Sequence, residues 1–436
     1  MNKWKLILFV ELYLEPSKNG LNRPKRVRGK GYKMVNMGEI FTYDRIRNPF
    51  MELVPMNELE KEKYNLKTGD LLFARQSLVA AGAGKCSIVL ETPEITTFES
   101  HLIRVRLNPT KATPLFYYYY FTSPMGKANV QSLVMQVAAA GIRGSELAQL
   151  PVPFPSLPTQ KKIAGILSAY DDLIENNTRR IKILEEMAQT LYHEWFVKFR
   201  FPGHEHTKML DSELGLIPEG CEVRKLGDVA KVISGFAFKS KDFQDEGIPV
   251  IKIKNIRNGT VDISDIQCVD SSFLSLNSKY HIKRGDLLIS LTGSHLTQPN
   301  SVVGRVDVYS QSKKVCLLNQ RAGKIFITNP ERCKISYLFY LLSSEDRRRS
   351  IALMASGAAS QANISPTQVE SLDLLIPGTE ILNLFHQIIS PIFEQISNLE
   401  IKNFNLRQTR DLFLPKLISG EIDVEHLEIT TEDIAT

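Results

Sequence analysis

"KTGDLLF", Lys67–Phe73, returns with small changes as "KRGDLLI", Lys283–Ile289. A Gly-Asp pair before three apolar residues reads as a turn that feeds a buried strand. Its return in the second half of the chain points to an internal repeat. Outward from this pair the correspondence widens. "LIRVRLNP" (Leu102–Pro109) has a counterpart in "AGKIFITNP" (Ala322–Pro330), each an alternating strand pattern closed by Asn-Pro. "LFYYYYFTS" (Leu115–Ser123) lines up with "YLFYLLSSE" (Tyr337–Glu345), and "LAQLPVPFP" (Leu147–Pro155) with "VESLDLLIP" (Val369–Pro377). Order and spacing are kept while identity is modest, so the chain reads as a tandem duplication.

Each copy closes in a long helical pattern. In the first, Ile163, Leu167, Tyr170, Ile174, Asn177, Ile181, Leu184, Ala188, Leu191 and Trp195 follow one another in alternating steps of four and three. That is the period of a coiled-coil seam. The second copy repeats it from Phe385 to Leu417, with Asn403 as its one asparagine and Pro391 as an expected kink or restart. The chain between the two helices returns through a whole domain, so an antiparallel pair is expected. With Asn177 opposite Asn403, nearly all other layers are apolar: Ile163 faces Leu417, Leu167 faces Phe413 and Trp195 faces Phe385. The exception sets Tyr170 against Arg410, whose guanidinium is expected to snorkel outward. At 1.5 Å per residue, a helix of about 38 residues spans roughly 57 Å, the length of a spacer between two globular halves.

The bulk numbers exclude several classes. A chain of 436 residues with 43% hydrophobic and 23% charged residues is an ordinary globular one. The net charge of +6 is a mild lean towards polyanions. Five scattered cysteines, with no C-x-x-C pair, suit reduced thiols rather than a disulfide frame or a zinc site. The apolar run near the start is broken by Glu11, and no run reaches membrane-spanning length. An intracellular protein is expected.

Catalytic motifs fail on inspection. "AGAGKCS" (Ala81–Ser87) lacks both the first glycine and the Ser or Thr of a phosphate loop. "NPF" (Asn48–Phe50) lacks the second proline of the base-gripping motif of adenine methyltransferases. Glu400-x-Lys402 lies between seam positions without a partner Asp, and His204 and His206 lack a third metal ligand. Basic and amide side chains offer more. Lys18, Arg23, Lys25, Arg26, Arg28, Lys30 and Lys33 form a stretch with no acidic residue. Arg75, Gln76 and Arg143 follow expected strands in the first half. In the second half these are Lys252, Lys254, Asn255, Arg257 and Asn258, then Thr292, Ser294, His295, Gln298 and Asn300. Arg reads guanine bidentately, Asn and Gln read adenine, and Lys neutralises phosphate. The helices match between halves and these loops do not, as expected of a reader of two different short sequences.

With "LPVPFPSLPTQKKIAGILSAYDDLIENN" (Leu150–Asn177) and "TRDLFLPKLISGEIDV" (Thr409–Val424) in view, the chain resembles the specificity subunit of type I restriction–modification systems. The resemblance covers nearly the whole chain. It implies two target-recognition domains that read a bipartite, asymmetric double-stranded DNA site, and two helical regions that act as spacer and docking platform. It places catalysis in partner subunits, two adenine-N6 methyltransferase and two restriction subunits, with S-adenosylmethionine, ATP and Mg bound there and no cofactor in this chain. Cytoplasmic location is implied. One departure stands out: "VRKLGDVAKVISGFAFKSKDF" (Val223–Phe243) suits the family's opening, whereas "KWKLILFVELYLEPSKNGLN" (Lys3–Asn22) aligns only at Trp4 and Leu6.

The expected architecture is α+β. Two mixed recognition domains, 1–155 and 217–376, are joined by an antiparallel coiled coil of helical spacers 156–200 and 377–420, with a linker 201–216 and a tail 421–436. Two other readings compete, a coiled-coil adaptor without DNA specificity and a stand-alone DNA-modifying enzyme. The first would bind all duplexes equally, and the second would bind S-adenosylmethionine by itself.

Overall fold

The computed structural model describes residues 4–77, 82–134, 140–257, 260–263, 265–293, 303–310, 315–358 and 361–427. The chain divides into two compact units, Met1–Ile174 with Asn405–Thr436, and Glu175–Phe404. Both are mixed α/β. The division passes through both long helices, so each unit owns a piece of each, whereas the bounds read from sequence follow chain order.

The Gly-Asp turns explain the repeat. Gly69 and Gly285 sit at φ +89° and +90°, a left-handed conformation that favours glycine. In the turns that follow, the Asp70 carboxylate accepts the Lys67 N–H at 2.8 Å, and Asp286 accepts the Lys283 N–H at 2.8 Å. The cation on the neighbouring strand differs: Arg106 grips Asp70 at 2.7 Å, where Lys324 lies 3.5 Å from Asp286. Each turn launches the strand that sits inside its main sheet. In the first unit the order is Tyr13–Asn19, Leu102–Leu107, Leu71–Ala74, Cys86–Glu91 and Arg45–Arg47. In the second it is Ala230–Ser234, Ala322–Ile327, Leu287–Ser290 and Val306–Val308. A second sheet in each unit, of three strands in the first and five in the second, shares a parallel pair, Tyr32–Val35 with Thr96–Phe98 and Ile248–Ile251 with Cys316–Leu318.

The divergent opening folds like its counterpart. Leu6–Leu8 pairs antiparallel with Pro151–Pro153, as Glu222–Lys225 pairs with Asp373–Ile376. Phe9 and Leu12 are fully buried there, in the places Leu226 and Val229 take in the second unit. At the expected linker, Met209–Ser212 and Gly215–Pro218 form a hairpin, with Gly215 at φ +91° in its turn.

The long helices are Leu157–Tyr192, followed by a π-turn His193–Val197, and Thr379–Ser419. The second runs unbroken through Pro391 and Pro415, so the expected restart at Pro391 is corrected. Each proline removes an N–H donor, and around Pro391 the neighbours Ile389, Ile392 and Phe393 pack into the core and hold the helical path. Within the first unit Ile163 and Leu167 share a core with Leu414, Leu417 and Ile418, and the Trp4 indole donates to the Ile418 carbonyl at 3.0 Å. Tyr170 meets Phe413 with ring centroids 6.4 Å apart. Arg410 does not snorkel. It pairs with buried Asp171, one residue along from the position expected.

Within the second unit the Asn177 amide donates to the Asn403 carbonyl oxygen at 2.9 Å, and Asn403 donates to the Thr178 hydroxyl at 3.3 Å. Both asparagines are buried, which excludes their pointing to solvent. Trp195 and Phe385 lie 6.0 Å apart between ring centroids.

Glu185, on the first long helix, has its carboxyl pushed up to about 7 by burial, with Glu400 and Glu186 adding like charge. The folded state therefore keeps a proton that the unfolded chain releases near 4.5. Stability of the second unit should fall as pH rises between those values, because the folded state binds more protons there. Burial raises Asp307 as well and adds to the same slope. Glu185→Gln should flatten the change in denaturant midpoint between about pH 5 and pH 8. An identical slope in the variant would contradict this.

Candidate nucleic-acid interface

The basic stretch divides into two groups. Arg23 pairs with Glu60 and donates to the Pro55 carbonyl at 3.1 Å. Arg28 pairs with Glu52 and donates to the Asn36 side chain at 3.0 Å and to the Arg23 carbonyl at 2.8 Å. Lys18 and Lys33 are engaged with Glu15 and Glu94. These cations hold the loop in shape. Lys25, Arg26 and Lys30 are exposed, and among the described residues their side chains have no hydrogen-bond or ion-pair partner. Sequence could not sort the two groups, since Glu52, Glu60 and Glu94 come from distant segments.

A second cluster forms where the main sheet ends. Arg75 donates its backbone N–H to the His101 carbonyl at 2.7 Å and accepts from Ile142 N–H at 2.9 Å. Gln76 pairs with Gly141 on the adjoining strand. Arg75, Gln76, His101 and Arg143 are thereby gathered at one strand end. The second unit builds the same hydrogen-bond frame: Leu291 N–H donates to Arg321, and Ile364 N–H to Leu291, each at 2.9 Å. Its equivalents of Arg75, His101 and Arg143 are Leu291, Arg321 and Ser365. One backbone frame thus carries two unlike polar sets. His101 and Arg321 were missed in the sequence, although each stands directly before a repeated strand.

Two candidates in the second unit are corrected. Asn255 is buried, and its amide is occupied by accepting the Lys252 N–H at 2.9 Å and donating to the Asp262 carbonyl at 2.8 Å. Thr292 is buried and donates its hydroxyl to Asn363 at 2.8 Å. Both stabilise turns and strands. Lys252 lies over the Phe243 ring, 3.4 Å from its centroid, and bonds to Gln267. Burial, with Lys254 adding repulsion, lowers its pKa from the usual lysine value. Lys254 pairs with Asp265 at 2.6 Å and Arg257 with Asp262 at 3.0 Å. These pairs are open to solvent, and such pairs contribute little stability. Asn258, Ser294, His295, Gln298 and Asn300 lie outside the described residues. Among the described residues no three His, Cys, Asp or Glu side chains are placed to hold a metal ion.

The family model described as the type I restriction modification DNA specificity domain matches residues 21–186 and again 218–409. The chain belongs to that family. Its two matches fall one on each copy of the repeat. The MjaIX specificity subunit of Methanocaldococcus jannaschii is 29% identical over 324 residues, covering 72% of this chain and 70% of that one. The HindI specificity subunit of Haemophilus influenzae is 22% identical over 458 residues, covering 89% of this chain and 94% of that one. The crystal structure of a type I S subunit from M. genitalium has the same fold, with a TM-score of 0.61 at 14% identity, covering 95% of this chain and 96% of that one. As a type I specificity subunit, this chain is the non-catalytic, DNA-recognising part of a restriction–modification complex.

Proposed function

We propose that the two units read the two halves of a bipartite, asymmetric double-stranded DNA site, and that the paired long helices set the spacing between the halves. One observation supports this reading most: a shared backbone frame presents Arg75, His101 and Arg143 in one unit and Leu291, Arg321 and Ser365 in the other. Lys25, Arg26 and Lys30 then bind phosphate, and Arg75, Gln76 and Arg143 approach base edges. The antiparallel coiled coil fixes its register through the buried Asn177–Asn403 pair. The helices also serve as platform for two methyltransferase and two restriction subunits, which bring S-adenosylmethionine, ATP and Mg in the cytoplasm. No described helix is long and apolar enough to cross a membrane.

The two groups of cations give different signatures in a duplex-binding titration with the methyltransferase partner present. Lys25→Ala with Arg26→Ala should weaken binding to all sequences alike and lower the salt slope by roughly two. Arg75→Ala should cost the cognate site about 1–3 kcal/mol and leave non-cognate binding nearly unchanged. Uniform loss in Arg75→Ala would place it on phosphate instead. Equal affinity of the unaltered chain for every duplex would favour the adaptor reading.

The asparagine pair is tested separately. Asn177→Leu strands a buried Asn403 carbonyl oxygen and should lose about 1–3 kcal/mol. Asn177→Leu with Asn403→Leu should recover most of that stability while loosening the choice of register. A single variant as stable as the parent would remove the pair from this role.

A further inference from the structure

We propose that a cavity in the second unit binds a small organic cation, a diamine or polyamine. The cavity measures about 490 Å³ and is walled by the strand Val306–Val308, the helix Ile335–Ser343 and both long helices. That volume falls within the usual range for small-molecule sites, about 300–1,000 Å³. Phe339, Tyr340 and Phe393 form an aromatic wall, with ring centroids 5.0 to 5.6 Å apart. Four acidic residues line the space, Glu185, Asp307, Glu394 and Glu400, together with a single guanidinium, Arg284, which donates to Asn398 at 2.9 Å. His386 also lines it, bonded to Ser336 at 3.1 Å. Burial and nearby Lys334 hold its pKa below the usual histidine value.

Asp307 decides the reading. It is 3% exposed, and one carboxylate oxygen accepts the Val308 N–H at 2.8 Å. Its other oxygen is buried with no hydrogen-bond partner among the described residues. The frame does not require this carboxylate. Asp307 pairs with Leu288, and at the matching place in the first unit Leu72 pairs with Ser87, a neutral residue that donates to the Ile40 carbonyl at 3.2 Å. An acid kept at such a place, where burial holds its proton until a counter-charge arrives, calls for a cationic partner. A hard divalent metal needs six or more oxygen ligands, and no three ligands are suitably placed among the described residues. An alkylammonium fits better: its methylenes lie on the aromatic wall, and its charge meets the carboxylates and the ring faces.

The test uses the full chain and spermidine at fixed ionic strength, near pH 8, by calorimetric titration and thermal unfolding. Saturable one-to-one binding, with a rise in the unfolding midpoint, is expected. Asp307→Asn should weaken binding at least about tenfold, and Glu185→Gln, a milder change on a different element, should weaken it as well. Equal binding by the parent and both variants would mark adventitious surface attraction and overturn the proposal. So would the absence of saturable binding, or stabilisation by Mg²⁺ that spermidine does not match.

Discussion

Asp171→Ala should remove about 3–5 kcal/mol from the first unit, the usual loss when one member of a buried ion pair is deleted. The Asp171 side chain is 8% exposed, pairs with Arg410 and accepts the Tyr119 hydroxyl at 2.7 Å. Arg45, 5% exposed, approaches it at 4.0 Å. Removing the carboxylate leaves Arg410 facing a half-dry seam and Tyr119 with a buried hydroxyl. Arg45 loses this second carboxylate beside its pair with Asp172, which is half open to water. The loss should appear in the urea transition of the first unit and leave that of the second in place. A loss below about 1 kcal/mol, the value of an exposed pair, would show that the network adds nothing beyond surface charge.

Exchange of residues 1–155 for the first recognition domain of another family member should change one half of the methylated site completely and leave the other half as it was. The cut is favourable because Leu6–Leu8 and its partner Pro151–Pro153 travel together. It makes demands on the donor, which must present cations where Arg45 and Arg47 pair with Asp172 and donors where Tyr119 meets Asp171 and Trp4 meets Ile418, all beyond the cut. A chimera that altered both halves at once would show that the loops of one unit influence reading by the other.

Much of this architecture was legible because local chemistry repeats. The Gly-Asp turn needs a left-handed glycine and a short carboxylate, and both were visible at Gly69 and Asp70 and again at Gly285 and Asp286. The seam showed which asparagines meet, because each of its two helices carries a single one there. Pairing between distant segments was hidden. Nothing near Arg23 announces Glu60, and nothing near Arg410 announces Asp171, so cations that hold the fold were read together with those left free. The opening from Leu6 to Leu12 escaped alignment because burial fixes only apolar character at Phe9 and Leu12, not identity. Asn255 and Thr292 looked like base readers because a buried, satisfied amide or hydroxyl has the same sequence signature as a free one.

On the proposed reading, this chain supplies the sequence specificity of its complex through two separately acting units. That reading is tested most directly by mapping methylated adenines in a host that carries the methyltransferase partner, with and without this chain. One bipartite motif, with unlike halves and a fixed gap, should be present only when the chain is expressed. The same motif without the chain, or methylation without any motif in its presence, would contradict that reading.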